Sequence, residues 1–203
     1  KYKISINIHK SKKYFYLSSC FENNIKNFLA TVAIISIFKD IRKLDSNFFY
    51  NHQIPEGRGD VLKIQFKKKK FYLIDQSYNS NPLSLSSALK NFDMIKVDSS
   101  KKHLILGDML ELGKHSKKLH KNIFKGINKL SLKNINVIGR HMREGYKILN
   151  KNKKGFILKN NSEIINLIKN NLNNNDYLMI KGSNTTGLNK LTNEIKIGKH
   201  SAL

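Results

Sequence analysis

Residues 71–92 read FYLIDQSYNSNPLSLSSALKNF, an apolar run, a polar loop and a segment with helical spacing. The run at 71–74 indicates a strand. Asn81 can cap a helix with its side-chain oxygen, and Pro82 suits the first helical position, so a helix is predicted over 82–92. A strand that leads through a polar loop into a capped helix is the unit from which α/β folds are built.

The same alternation continues on both sides of this unit. Further strands are predicted over 61–66, 103–106, 135–138, 156–158 and 177–180, and further helices over 116–130, 142–149, 162–172 and 188–197. Ser162 is the predicted cap of the helix it opens. Residues 61–66 and 71–74 form a predicted hairpin with a solvated lysine tip at 67–70. Alternation requires crossover connections, so we expect an α/β fold with a mainly parallel sheet flanked by helices.

The first 54 residues follow a different pattern. Apolar and polar residues alternate over 2–8, which predicts a half-buried strand, and a polar turn over 10–13 leads to a second strand over 14–17. A helix over 22–39 is indicated by apolar residues at helical spacing, namely Ile25, Phe28, Leu29, Val32 and Ile35. These elements bury little by themselves. We therefore expect 1–54 to be the end of one domain and 55–203 a complete second domain.

Composition excludes several classes of protein. Hydrophobic residues make up 39% of the 203 positions, which is enough for a core and excludes wholesale disorder. The single cysteine, Cys20, excludes an intramolecular disulfide framework, and a reducing cytoplasm is expected. The longest apolar stretch, 28–38, is shorter than the roughly 20 residues that span a bilayer, so no membrane insertion is expected.

The net charge of +24 raises the question of nucleic acid. Only 4 of the 38 basic residues are Arg, although recognition of phosphates and bases favours the two-pronged guanidinium. The excess of Lys, Asn and Ile with scarce Ala and Arg is what AT-rich coding produces. Solvated lysines without a nucleic-acid partner are therefore the favoured interpretation, and a basic α/β module that binds RNA or a membrane surface is the alternative.

Three loops that follow predicted strands carry the candidate chemistry. They are residues 75–82 (DQSYNSNP), 107–113 (GDMLELG) and 182–187 (GSNTTG). Ligands of parallel sheets bind at the carboxyl ends of the strands, where these loops should converge. None of them is a P-loop, because Leu188 and Asn189 stand where Lys and Ser or Thr would hold phosphate and magnesium. His115 and His120 are five residues apart, which favours surface histidines over metal ligands.

Taken together with Gly57-Arg58-Gly59 and Lys181, the three loop sequences closely resemble the Mur ligases. The strings at 75–82 and 107–113 are similar to those of the D-alanyl-D-alanine-adding type. The resemblance implies a Rossmann-like C-terminal domain over 55–203, preceded over 1–54 by the tail of a P-loop-type central ATPase domain.

The reaction implied by this resemblance is formation of an amide bond. ATP, with Mg²⁺, phosphorylates the terminal carboxylate of UDP-N-acetylmuramoyl-tripeptide, the amine of D-alanyl-D-alanine attacks the acyl phosphate, and phosphate leaves. Both ATP and Mg²⁺ are expected to bind mainly outside this chain, no metal ligand is expected within it, and the ligase is expected to be a monomer.

The resemblance also implies a nucleotide site. Asn27 corresponds to the asparagine that reads adenine, Arg58 to the hinge arginine on the ATP phosphates and Asp75 to the acid near the ribose. The pocket would be completed by the loop residues Ser77, Tyr78, Asn79 and Asn81. Two departures are Asn23, where relatives have histidine, and Gln76, where an acid is usual.

An acceptor site for the dipeptide is expected between the loops at 108–113 and 182–186. Asp108 and Glu111 can accept hydrogen bonds from the amine, and Ser183 and Asn184 can donate to the carboxylate. The alternative is that Asp108 caps the following turn and Ser183 satisfies a loop. A related amide ligase of the folylpolyglutamate type is the nearest rival function.

Overall fold

The computed structural model describes residues 2–8, 11–17, 22–51 and 57–199. The chain divides into two compact units, Lys1–Pro55 and Glu56–Leu203. Within the described residues, no helix combines the length and the apolar character needed to cross a membrane.

The first unit contains an antiparallel strand pair and one long helix. Strands β1 (Tyr2–Ile8) and β2 (Ser11–Leu17) pair along their whole length, and helix α1 runs over Glu22–Phe38. The predicted polar turn at 10–13 is wrong for its last three residues, because Ser11–Leu17 pairs with β1 and satisfies its backbone polar groups there. The core is an edge-to-face cluster of Phe15, Phe28 and Phe49, with ring centroids 5.0–5.8 Å apart.

The second unit is built on a six-stranded sheet. Its strands are β3 (Asp60–Phe66), β4 (Lys69–Gln76), β5 (Lys102–Gly107), β6 (Ile135–Ile138), β7 (Lys154–Leu158) and β8 (Tyr177–Lys181). They lie in the order β3-β4-β8-β5-β6-β7, with β3 antiparallel to β4 and every other pair parallel. The predicted mainly parallel α/β fold is confirmed.

In the described part of this unit, five α-helices cover both faces of the sheet. They are α2 (Pro82–Asp93), α3 (Ser116–Ile127), α4 (Arg140–Tyr146), α5 (Asn161–Asn171) and α6 (Leu188–Lys196). Successive residues of β5 point to opposite faces, so Leu104 and Leu106 pack in one core and Ile105 in the other. The first core holds α2, α3 and α4, and the second holds α5 and α6.

Local capping explains where two helices begin. Asn81 caps α2 as predicted, with its Oδ1 accepting the Ser84 amide at 2.8 Å. Ser162 is not the cap of α5, because Asn160 lies in the extended conformation before the helix and its Oδ1 accepts the Glu163 amide at 3.0 Å. The lysine tip of the hairpin is also shorter than predicted, since Lys69 is in β4 and its Nζ donates to carbonyls of the α5 end.

Candidate functional site

The three predicted loops lie next to one another at the carboxyl edge of the sheet. Strands β4, β8, β5 and β6 are neighbours and run in the same direction, so their ends open towards one edge. The loops after β4, β8 and β5 therefore follow adjacent strands, in agreement with the sequence prediction.

Ser183 joins these three loops. Its amide donates to the Asp108 carbonyl at 3.0 Å, and its Oγ accepts the Leu110 amide at 2.8 Å. The same hydroxyl donates to the Ser80 carbonyl at 3.2 Å. Because Ser183 is buried, these hydrogen bonds are shielded from water and fix the loops relative to one another.

Asp108 fastens the loop after β5 to the start of α4. Its carboxylate accepts the amides of His141 at 3.2 Å and Met142 at 2.7 Å. Gly139 makes this approach possible, since a Cβ there would lie 2.5–2.7 Å from the Asp108 carboxylate, and its φ of +105° disfavours other residues. The carboxylate is buried. The structure thus gives Asp108 a capping contact with α4.

His120 corrects the sequence interpretation of a surface histidine. It is completely buried, its Nε2 accepts the Met109 amide at 3.0 Å, and its Nδ1 donates to the Ser116 carbonyl at 2.8 Å. Burial lowers the pKa of His120, and this arrangement requires the neutral ring. Its spacing from Ile123, Phe124 and Ile127, which share the buried face of α3, is the signal that sequence analysis missed.

Asp75 and Ser77 are buried at the start of the loop after β4. One Asp75 oxygen accepts the Ser77 amide at 2.9 Å and the Ser77 hydroxyl at 2.6 Å. The other pairs with the Lys196 ammonium of α6 at 2.6 Å. The carboxylate therefore anchors its own loop to α6.

Arg58 and Tyr78 form the exposed part of this region. The Arg58 guanidinium lies 4.3 Å from the centre of the Tyr78 ring, in a cation–π contact. The Tyr78 amide donates to the Gly57 carbonyl at 3.2 Å, which holds the two segments together. Gly57 has φ +75°, and a Cβ on it would approach the Tyr78 nitrogen to 2.9 Å.

The remaining candidate site residues have exposed side chains in different parts of the structure. Asn79 and Asn81 are exposed on the loop after β4, and Asn184 is exposed on the loop after β8. Glu111 is exposed with a φ of +62° in the left-handed region. Asn27 lies in α1 of the first unit with an exposed side chain, and the Asn23 side chain lies outside the described residues.

Lys181, at the end of β8, was not predicted as a site residue. It is buried and its Nζ donates to the Asn79 carbonyl at 2.7 Å. Burial, and secondly the Arg58 charge, lower the pKa of Lys181 to about 8. No set of three or more His, Cys, Asp or Glu side chains suited to a metal ion occurs among residues 2–8, 11–17, 22–51 and 57–199.

Comparison with known proteins gives one consistent family. Residues 57–184 match the Mur ligase, glutamate ligase domain. Relatives named UDP-N-acetylmuramoyl-tripeptide--D-alanyl-D-alanine ligase include those of Rickettsia prowazekii, 30% identical over 84% of this chain, and Buchnera aphidicola subsp. Baizongia pistaciae, 30% identical over 89%. This chain spans 36% and 38% of the length of those two relatives.

Solved structures show the same fold. MurF from Acinetobacter baumannii superposes with a TM-score of 0.73 at 22% identity, covering 96% of this chain and 42% of that one. MurF ligase from Thermotoga maritima in complex with ADP gives 0.71 at 18% identity, covering 97% and 43%.

Proposed function

Because the chain belongs to the Mur ligase family, we propose that it forms the C-terminal portion of a ligase that joins D-alanyl-D-alanine to UDP-N-acetylmuramoyl-tripeptide with ATP. The names of the relatives support this assignment. The observation that carries it is the junction at Ser183, where the loops bearing the strings typical of this ligase type meet at the carboxyl edge of the sheet. We further propose that residues 1–54 belong to the central ATPase domain and that the protein acts as a monomer in the cytoplasm.

The family reaction proceeds through an acyl phosphate. ATP phosphorylates the tripeptide carboxylate, and the dipeptide amine then displaces phosphate. Mg²⁺ neutralises charge on the transferred phosphoryl group, and the described residues here offer no cluster to hold it. We therefore propose that this chain helps to position the nucleotide and the acceptor dipeptide.

The nucleotide side is proposed to use the exposed Arg58–Tyr78 pair. A guanidinium can bridge phosphate oxygens with parallel hydrogen bonds, and it is already oriented by the Tyr78 ring. Asn79 and Asn81 lie on the same loop as Tyr78 and are proposed to complete the nucleotide pocket. Asn27 is proposed to read adenine. Asp75 and Ser77 contact each other and α6, so we propose that they shape this loop.

The acceptor side is proposed to use Glu111 for the dipeptide amine and Asn184 for its carboxylate. Both side chains are exposed on loops that are linked through Ser183. Asp108 and Ser183 are already bonded to backbone groups, so we propose that they hold the acceptor loops in position.

An acceptor-specificity assay with the complete ligase tests the function. Phosphate release from ATP in the presence of UDP-N-acetylmuramoyl-tripeptide should depend on D-alanyl-D-alanine and not on glutamate. Stimulation by glutamate and a folyl substrate would favour the folylpolyglutamate type. Tight RNA binding at physiological salt with a steep salt dependence, and no ligase turnover, would favour the basic binding module.

A further inference from the structure

Lys181 is a buried cation that uses little of its hydrogen-bonding capacity. It is 2% exposed, and among the described residues its ammonium makes a single hydrogen bond, to the Asn79 carbonyl at 2.7 Å. An ammonium has three donors, so two are without a protein acceptor. Burying a charged group is costly unless it is paired.

Among the described residues, no carboxylate forms an ion pair with this ammonium. Asp75, which lies on the neighbouring strand beside Ile180, is already paired with Lys196. Burial, and in addition the nearby positive charge of Arg58, lower the pKa of the Lys181 ammonium. Two cations near each other, one of them buried, create a positive potential that an anion would relieve.

Two further donor groups lie in the same region, the buried Ser80 hydroxyl and the solvent-exposed Arg58 guanidinium. The Ser80 hydroxyl is buried and has no hydrogen-bond partner in the described part of the chain. Ser80 is the residue after Asn79, whose carbonyl accepts the hydrogen bond from Lys181. The Arg58 guanidinium lies over the Tyr78 ring and is exposed to solvent, so its N–H groups are accessible to a ligand. Buried unsatisfied hydroxyls are uncommon and call for an explanation.

We propose that Lys181 at the end of β8, Ser80 on the loop after β4 and Arg58 before β3 form a phosphate-binding subsite. Two cations match the double negative charge of a phosphate group better than the single charge of a carboxylate, and the hydroxyl supplies a further donor. The source of the phosphate rests on the proposed function, which makes it a phosphate of the nucleotide. The subsite itself rests only on the contacts within this chain.

Lysine NMR of the 203-residue chain tests the subsite directly. With ¹³C-labelled lysine, the Cε signal of Lys181 should titrate near pH 8 in phosphate-free buffer. Saturation with pyrophosphate should move this midpoint upward by about one pH unit or more, because a bound anion favours the charged ammonium. A midpoint that pyrophosphate leaves unchanged would overturn the proposal.

Matched variants separate binding from folding. Lys102 is also buried and also donates to a single carbonyl, that of Asp93 at 2.7 Å. Lys181→Met should weaken pyrophosphate binding by about tenfold or more, whereas Lys102→Met should not change it. Ser80→Ala removes an unpartnered hydroxyl, so it should weaken binding about threefold or more without lowering stability. Equal binding by Lys181→Met, Ser80→Ala and the parent would refute the subsite.

Comparing ligands distinguishes this inference from the proposed function. In the complete ligase, Lys181→Met should weaken ADP binding and leave adenosine binding unchanged. If pyrophosphate binding depends on Lys181 but ADP binds no more tightly than pyrophosphate, the subsite stands and the nucleotide assignment fails. If ADP binds tightly and Lys181→Met has no effect, the nucleotide assignment stands and the subsite is wrong.

Discussion

Arg58 is oriented by an aromatic ring, and its proposed role depends on the shape of its side chain as well as its charge. In the complete ligase, Arg58→Lys should raise the Michaelis constant for ATP about tenfold, because a point charge cannot replace two parallel hydrogen bonds. Steady-state kinetics with varied ATP measure this effect. Arg140→Lys, at an exposed position at the start of α4, is the control. Kinetic constants equal to those of the parent would indicate that Arg58 is simply solvated.

His120 should make the stability of the chain depend on pH. Its pKa in the folded state lies below the ordinary value of 6.5, so the folded state binds fewer protons than the unfolded state. Its contribution to stability is complete above about pH 6.5 and decreases as the pH falls below this value. Nearby groups modify this effect, since Asp108 and the Ser116 carbonyl raise the pKa and His141 lowers it.

Replacing His120 tests this directly. His120→Leu leaves the Met109 amide without an acceptor and should lower the free energy of unfolding by about 1–3 kcal/mol at pH 8. The difference from the parent should shrink below pH 6.5, and His115→Leu, at an exposed position, should have little effect. Denaturant titrations at several pH values measure it. A difference that stays constant down to pH 5 would contradict the neutral buried ring.

At the scale of elements, the position of α4 depends on a residue that is distant in sequence. Asp108→Ala should lower the free energy of unfolding by about 1–2 kcal/mol, because the His141 and Met142 amides lose their acceptor. Asp98→Ala is the matched control, since Asp98 accepts a single amide at an exposed turn and should cost less. Thermal unfolding followed by circular dichroism compares them. Equal losses would mean that the Asp108 cap adds no stability.

Local sequence predicted the elements of the second unit better than their ends. Strand β6 was predicted with its observed bounds, because apolar periodicity marks it clearly. Helix α4 begins at Arg140 and not at 142, since the Asp108 carboxylate in the loop after β5 caps it, and no local pattern reveals this contact. For the same reason, the sequence identified the three loops but not the contacts of Lys181 and His120, which exist only after the sheet brings these segments together.

At the scale of the whole molecule, the 203-residue chain should be inactive by itself. Its sequence contains no P-loop to hold the ATP phosphates, so neither ATP hydrolysis nor peptide-bond formation is expected. Assaying purified chain for phosphate release and for ligated product measures this. Robust turnover by this chain alone would contradict the proposal that the ATP phosphates bind mainly outside it.

The loops linked by Ser183 are proposed to hold the acceptor dipeptide, and steady-state kinetics of the complete ligase test this placement. Glu111→Gln should raise the Michaelis constant for D-alanyl-D-alanine about tenfold, because the dipeptide amine loses a charged acceptor. Ser183→Ala should also raise it, since the loops lose two hydrogen bonds. The Michaelis constant for ATP should stay unchanged in both. A Michaelis constant for D-alanyl-D-alanine that is unchanged in both variants would contradict this placement of the acceptor site.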